Sequence, residues 1–298
     1  MINYILLALS TIMATGKALF CKVVGMGTRT KKETMVLNFE SFFVAFICSV
    51  FFVINKLNFL FEISWYSLIL AVVFGASVAL TQVTQSKAMG NGPSSIVTLI
   101  YSCGFVLPII CGLFFWQETV SIWQWIGVVV LILSLILVIG KKEEAKSGKV
   151  WIIFAFIAMF GSGLNAILQK THQYSAFAEE LPFFLVYALF FSTVFTGISA
   201  LFVKSDEPNE KEKITGKRFF LWKVLPPIGL GVCVGVLNFL NLTLAGKIPS
   251  VILFPVYNVG SMLLTSLISV ILFKDKITRN QTIGFFIGIF AILVIGLL

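Results

Sequence analysis

The sequence predicts an all-α integral membrane protein with ten transmembrane helices, arranged as two inverted five-helix repeats around a central cavity. The first observation behind this prediction is composition. Of the 298 residues, 58% are hydrophobic and 12% are charged, whereas soluble domains carry about 25% charged residues. The second is order along the chain, because apolar runs of membrane-spanning length follow one another from end to end.

The apolar runs define the helices, since a helix needs about 20 apolar residues to cross a bilayer. The predicted helices are Asn3–Val24, Met35–Ile54, Trp65–Ser86, Pro93–Phe115, Ile122–Ile139, Val150–Gln169, Leu181–Val203, Leu225–Leu244, Ile248–Phe273 and Gln281–Leu298. The first run lacks a basic segment before it and further spans follow it, so we interpret it as a retained helix rather than a signal peptide. Pro93 and Pro249 fit the first turn of helices four and nine, where proline loses no hydrogen bond. Capping boxes at 121–124 and 278–281 open helices five and ten. The polar insertion 204–223 predicts a loop.

A block near the end of each half of the chain occurs twice. In each copy a glycine and a Pro-Ser pair lead through a helix to an acidic residue and a Gln-x-x-Gly segment. The copies comprise Gly90, Pro93, Ser94, Glu118, Ser121, Gln124 and Gly127, and Gly246, Pro249, Ser250, Asp275, Thr278, Gln281 and Gly284. Because each half holds an odd number of helices, the second copy is expected to lie upside down relative to the first. We therefore predict repeats at 1–141 and 150–298, joined by the linker 142–149, with a site at their interface.

The charges of the loops predict the orientation. The loops after helices one, three, five, seven and nine, with their flanks, carry almost all the lysines and arginines. The opposite side carries Lys56, Lys170 and Lys247. Basic loops stay in the cytoplasm, so both chain ends are predicted to be non-cytoplasmic, in a multi-pass protein of the cell membrane.

The duplicated pattern resembles the drug/metabolite transporter superfamily, in particular its EamA-type members. The resemblance rests on Ala88–Ser94 leading to Pro108, on Leu244–Ser250 leading to Pro255, and on the acid-then-glycine ends of both copies. It implies a basket of helices around a central cavity that opens alternately to each side. It also implies carriage of small metabolites, commonly amino acids, sugars, nucleotide-linked compounds or toxic cations.

Four amides inside the predicted helices are the first candidates for the site. Gln82 and Gln85 lie three residues apart on helix three, and Asn238 and Asn241 repeat this spacing on helix eight. Amides offer both donors and acceptors, which suits a polar neutral or zwitterionic solute. The alternative is that they join helices to one another within the membrane. The sequence leaves both interpretations open.

Lys17 is the second candidate, because a lysine in the middle of a membrane helix costs on the order of 3 kcal/mol. A substrate carboxylate or phosphate would offset that cost. Glu40, the only carboxylate clearly inside a predicted span, is the alternative partner and the candidate for coupling to a proton or cation. Lys17 could also extend its long stem towards the interface. Small multidrug relatives carry a glutamate in their first helix, whereas this chain has Lys17, with Asn165 at the matching position of the second repeat.

Helical periodicity and the repeat add further substrate-binding candidates. Asn165 shares a stripe with Gly161 and Gln169 on helix six. Tyr101 on helix four and Tyr257 on helix nine occupy matching positions of the two repeats, and Asn258 follows Tyr257. We expect these side chains to face the cavity.

The sequence disfavours other classes of function. The single histidine, His172, has no acidic residue at metal-ligand spacing, and the five cysteines show none either, so we expect no enzyme, metal or cofactor. The net charge of +9 is concentrated in loops, which disfavours nucleic acid as a partner. A channel is a more remote possibility, because channels commonly show rings of like residues from several subunits.

The predicted function is a secondary transporter that moves a small polar, amino-acid-like metabolite across the lipid bilayer by alternating access. The alternative is an exporter of toxic cations, for which Glu40 would be the buried carboxylate.

Overall fold

A computed structural model describes residues 2–27, 30–55, 62–92, 94–138, 150–203, 223–273 and 279–297. The predicted linker 142–149 lies outside these residues, as do Pro93, Asp275, Thr278 and most of the loop 204–223. Of the residues in these ranges 91% are helical, and the ranges contain no strand.

The described residues form eleven α-helices. They are α1 (Ile2–Gly27), α2 (Lys31–Phe52), α3 (Trp65–Asn91), α4 (Ser94–Ser102), α5 (Val106–Phe115), α6 (Ile122–Val138), α7 (Val150–Gln173), α8 (Leu181–Phe202), α9 (Leu225–Ala245), α10 (Ser250–Phe273) and α11 (Arg279–Leu297). Within the described ranges, seven helical segments are long and apolar enough to cross a membrane. Parts of α6, α10 and α11 are shorter apolar helices. The count of ten spans therefore stays a prediction.

The predicted fourth helix is interrupted. A 3₁₀ turn at Cys103–Phe105 separates α4 from α5. Pro108 lies four residues after Gly104, where a proline ring clashes with the carbonyl of the preceding turn and removes its hydrogen bond. Tightening to 3₁₀ geometry is a common response to such strain. Pro255 lies inside α10 without an interruption, so proline alone does not decide the break.

Close contact between α7 and the 3₁₀ turn also shapes this region. A Cβ atom on Gly104 would lie 2.5 Å from the backbone oxygen of Met159, a distance that no side chain tolerates. Gly163 faces the same contact, because a Cβ there would lie 2.8 Å from the oxygen of Gly104. The two glycines allow the backbones to pack directly, as small residues do between membrane helices.

The capping box predicted at Ser121 is present. The backbone N–H of Gln124 donates to Ser121 Oγ at 3.1 Å, and the N–H of Ser121 donates to Gln124 Oε1 at 3.0 Å. These two bonds supply acceptors to backbone N–H groups that have no partner within the helix at the start of α6. The second predicted box falls at Thr278, outside the described residues.

The main helix pairs repeat between the two halves of the chain. The predicted repeats match α1 with α7, α2 with α8, α3 with α9, the α4–α5 run with α10, and α6 with α11. Under this matching, the contact of α1 with α9 corresponds to that of α7 with α3, and the contact of α2 with α9 corresponds to that of α8 with α3. The contact of α1 with α10 corresponds to the packing of α7 on the α4–α5 run. All six of these contacts are present. The α2–α8 and α6–α11 contacts map onto themselves.

Large apolar side chains cover the outside of the bundle. Phe114, Phe115, Leu201 and Phe202 are among the most exposed, at 77–82%. An apolar surface of this extent is expected of a protein whose surroundings are lipid.

Candidate functional site

A small cavity lies between α1, α3, the α4 end of the α4–α5 run, α9 and α10. Its space is about 410 Å³, a value that includes space continuous with the surroundings of the protein. The lining consists of Ala14, Lys17, Ala18, Gln85, Thr98, Tyr101, Ser102, Leu237, Tyr257, Asn258, Ser261 and Met262. The structure therefore brings five of the sequence-predicted site residues together around one space.

Lys17 is the charged group of this cavity. Its Nζ donates a hydrogen bond to Tyr101 Oη at 3.2 Å and lies 5.4 Å from the centre of the Tyr101 ring. The side chain is partly buried. Across the described ranges, no carboxylate lies within ion-pair distance of it. A hydroxyl and an aromatic face stabilise an ammonium but leave its charge uncompensated.

Polar side chains of α3 and α10 line the same cavity as Lys17. Gln85 on α3 is 2% exposed, and its Oε1 accepts no hydrogen bond from the described part of the chain. Asn258 and Tyr257 on α10 are both almost fully buried. Ser261 Oγ donates to the backbone oxygen of Asn258 at 2.8 Å. A buried acceptor without a donor is costly unless a ligand or water supplies one.

The remaining predicted amides bond to other helices. Gln82 Nε2 donates to Asn38 Oδ1 at 3.1 Å, which joins α3 to α2. Asn165 Nδ2 donates to Thr81 Oγ1 at 3.2 Å, which joins α7 to α3. Gln82 and Asn165 do not line the cavity, and neither do the predicted asparagines of α9.

Both asparagines of α9 take part in the same kind of contact. Asn238 Oδ1 accepts from Gln169 Nε2 at 3.0 Å, and Asn241 Oδ1 accepts from Ser10 Oγ at 2.5 Å. Such bonds between membrane helices are worth about 0.6 kcal/mol on average. The geometry here matches the joining role that the sequence analysis gave as the alternative.

Glu40 lies away from the cavity. Its side chain is exposed on α2, in the same stretch of helix as the exposed Phe43 and Ile47. It forms no ion pair with Lys17. The placement therefore separates the predicted coupling candidate from the predicted substrate-binding lysine.

Sequence reasoning missed a lysine that is fully buried. The sequence placed Lys170 in a loop flank, but α7 continues to Gln173 and Lys170 is fully buried within it. Its Nζ forms an ion pair with Glu118, a residue that the sequence analysis used only as part of the repeat. No local signal identifies this pair, because the two residues are 52 positions apart.

His172 lies close to this pair along α7 and is also fully buried. Its Nε2 and Ser67 Oγ are 3.2 Å apart, and its ring stacks on Phe184 at 4.2 Å between centres. Because Ser67 is 0% exposed, a solute has no access to this hydroxyl. In the described ranges no group of three or more His, Cys, Asp or Glu could hold a metal ion.

Comparison with known proteins gives one family and one fold. Residues 1–140 match the model of the EamA-like transporter family, which confirms the resemblance predicted from the sequence. A solved structure entitled only "Crystal structure of protein" is similar with a TM-score of 0.74 and 12% identity, over 99% of this chain and 97% of that chain. At this identity the similarity concerns the fold alone. The search of curated proteins gives no match.

Proposed function

We propose that this chain carries a small amino-acid-like solute across the membrane. Its residues 1–140 match the EamA-like transporter family, which belongs to the drug/metabolite transporter superfamily. In this proposal the solute binds in the cavity at Lys17 and reaches it alternately from each side of the bilayer. The observation that carries the proposal is a lysine ammonium that lines a cavity together with several neutral polar side chains and has no carboxylate partner among the described residues.

The charge of Lys17 supports an anionic group on the solute. An ammonium inside the membrane is costly, and the neutral hydroxyl of Tyr101 compensates only part of that cost. A carboxylate bound to Lys17 would supply the missing charge and form a charge-assisted hydrogen bond. Such a bond is about twice as strong as one between neutral groups.

The amides support a second polar group on the same solute. Gln85 Oε1 is buried without a donor in the described part of the chain, and Asn258 offers a further amide. An ammonium or hydroxyl next to the solute carboxylate would donate to such an acceptor. The α-amino acids and α-hydroxy acids carry both groups on one carbon atom.

The repeated packing supports alternating access. Each main helix contact has a counterpart in the other half of the chain, and the cavity takes residues from helices of both halves. In transporters built from inverted repeats, two arrangements of equivalent elements open the site to opposite sides. Exposed Glu40 gives no comparable support to the alternative of a cation exporter.

Thermal stability measured with matched solutes tests this proposal. An amino acid that binds, supplied at a concentration of 100 times its Kd, should stabilise the purified protein by about 2.7 kcal/mol and raise its melting temperature. The corresponding amino acid amide, which lacks the carboxylate, should give a much smaller shift, and so should the simple amine. Equal shifts with the acid and its amide across a library of the common amino acids would refute carboxylate recognition.

A further inference from the structure

Three segments meet around Lys170 at one end of the bundle. They are the last turns of α7, the segment that follows α5, and the start of α10. Lys170 comes from the first, Glu118 from the second and Ser250 from the third. Because loop charge predicts that this end is non-cytoplasmic, we refer to it as the outer end.

The three residues form a closed hydrogen-bonded network. Lys170 Nζ donates to Glu118 Oε1, and it also donates to Ser250 Oγ at 2.8 Å and to the backbone oxygen of Ile248 at 3.5 Å. Glu118 Oε2 accepts the backbone N–H of Ser250 at 2.9 Å. The rings of Trp116 and Tyr174 lie 5.6 Å and 5.4 Å from the ammonium. Each charged group therefore has several partners.

The network excludes water. The side chains of Lys170 and Glu118 are 0% and 8% exposed. Gly112 in α5 lies against the carboxylate, because a Cβ there would be 2.5 Å from Glu118 Oε2. The ends of α5, α7 and α10 are consequently held in direct contact.

The same elements form opposite walls of the cavity. Tyr101 lies on the α4–α5 run, and Tyr257 and Asn258 lie on α10. Glu118 follows the outer end of the first wall, and Ser250 begins the outer end of the second. Separating the two walls at this end requires that Glu118 and Ser250 move apart, which breaks the network.

We propose that Glu118, Lys170 and Ser250 form an outer lock, which closes the cavity towards the outer side in this structure and opens in each transport cycle. This proposal rests on the proposed function. A buried ion pair suits the role because its desolvation cost nearly cancels its attraction, so its closed form and its hydrated open form lie close in free energy. An apolar seal of the same area would favour the closed form strongly.

A permanent anchor is the alternative, and cysteine accessibility distinguishes the two. The five native cysteines are replaced by serine, and Ser261→Cys is introduced as a reporter inside the cavity. A second variant carries Ala176→Cys instead, in the exposed turn after α7. The side of the membrane from which its cysteine is labelled identifies the face that carries the lock. The probe is a membrane-impermeant, positively charged methanethiosulfonate, applied to that face of intact cells.

Glu118→Gln should raise the labelling rate of the reporter about tenfold, which corresponds to about 1.4 kcal/mol in the opening equilibrium. The amide keeps the shape of the carboxylate but loses the charge that holds Lys170. Ser250→Ala removes one hydrogen bond and should raise the rate about threefold. The matched control is Glu33→Gln, which breaks the ion pair between Glu33 on α2 and Lys223, two residues before α9, and should leave the rate unchanged.

Unchanged labelling in Ser250→Ala and in Glu118→Gln would overturn the outer lock, and so would fast labelling of the parent protein. If Glu118→Gln does not fold, Ser250→Ala decides alone. The assay contains no solute. If the two lock variants are labelled faster than the parent but the protein moves no solute, the result would support opening at this network and contradict the proposed function.

Discussion

Replacing Lys17 with glutamine is expected to weaken the binding of a carboxylate-bearing solute by about 10- to 100-fold. A hydrogen bond to a charged group is worth about 1.5–3 kcal/mol, and every 1.4 kcal/mol is tenfold in affinity. The fold should tolerate the change, because within the described ranges Lys17 donates only to Tyr101. Since an intramembrane lysine is costly, the melting temperature without solute should stay the same or rise.

The measurement is isothermal titration of the solute that gives the largest thermal shift. Lys32→Gln is the matched control, because it removes the same charge from an exposed position on α2 and should leave Kd unchanged. Equal affinity of the wild type and Lys17→Gln would contradict the assignment of Lys17. A tighter Kd for the amide than for the acid in both proteins would contradict it too.

Replacing Gly104 with alanine is expected to lower stability by about 1–3 kcal/mol, the usual cost of overpacking. The new Cβ would lie 2.5 Å from a backbone oxygen of α7, and backbone cannot rotate out of the way as a side chain can. The 3₁₀ turn and α7 must therefore separate. In an unhindered helix the same substitution would stabilise by about 1 kcal/mol, so the sign of the change tests the contact.

Thermal unfolding of the purified variants measures this effect. Gly246→Ala is the control, because its Cβ meets only the side chain of Gln173, at 3.3 Å or more. That side chain can move by a few tenths of an ångström. If both variants melt at the same temperature, the direct packing of the Gly104 turn on α7 is wrong. The contact also positions Tyr101, three residues before Gly104, so Gly104→Ala should weaken solute binding as well.

Several separate signals in the sequence identify five residues that line one space in the structure. Lys17 is conspicuous because a lysine inside a membrane helix is costly, and Gln85 because it belongs to a pair of amides. Tyr101 and Tyr257 occupy matching positions of the two copies, and Asn258 follows Tyr257. The repeat alone does not suffice, because Asn165, at the position that matches Lys17, does not line this space.

The other amides show where such reasoning ends. Gln82 and Gln85 are three residues apart, which places them about 60° apart around the helix axis. That difference suffices to turn Gln82 towards Asn38 and Gln85 towards the cavity. Whether a partner stands at the required angle depends on the packing of distant helices, which no local pattern contains.

Lys170 and the 3₁₀ turn were outside the reach of the sequence for the same reason. The end of α7 was predicted at Gln169, and an end shifted by four residues changes a loop lysine into a buried one. Glu118, from another part of the chain, supplies the opposite charge that makes that burial tolerable. The interruption at Cys103–Phe105 depends on the close approach of α7.

Counterflow in proteoliposomes tests the central claim most directly. Vesicles containing the purified protein are loaded with unlabelled solute and diluted into a trace of the same solute carrying a radioactive label. We expect transient accumulation of label above its equilibrium level, saturable in solute, because a carrier exchanges one bound molecule for another. Lys17→Gln vesicles should show none at the same concentration. Label that only equilibrates with the outside, without overshoot and without saturation, would indicate a channel and contradict alternating access.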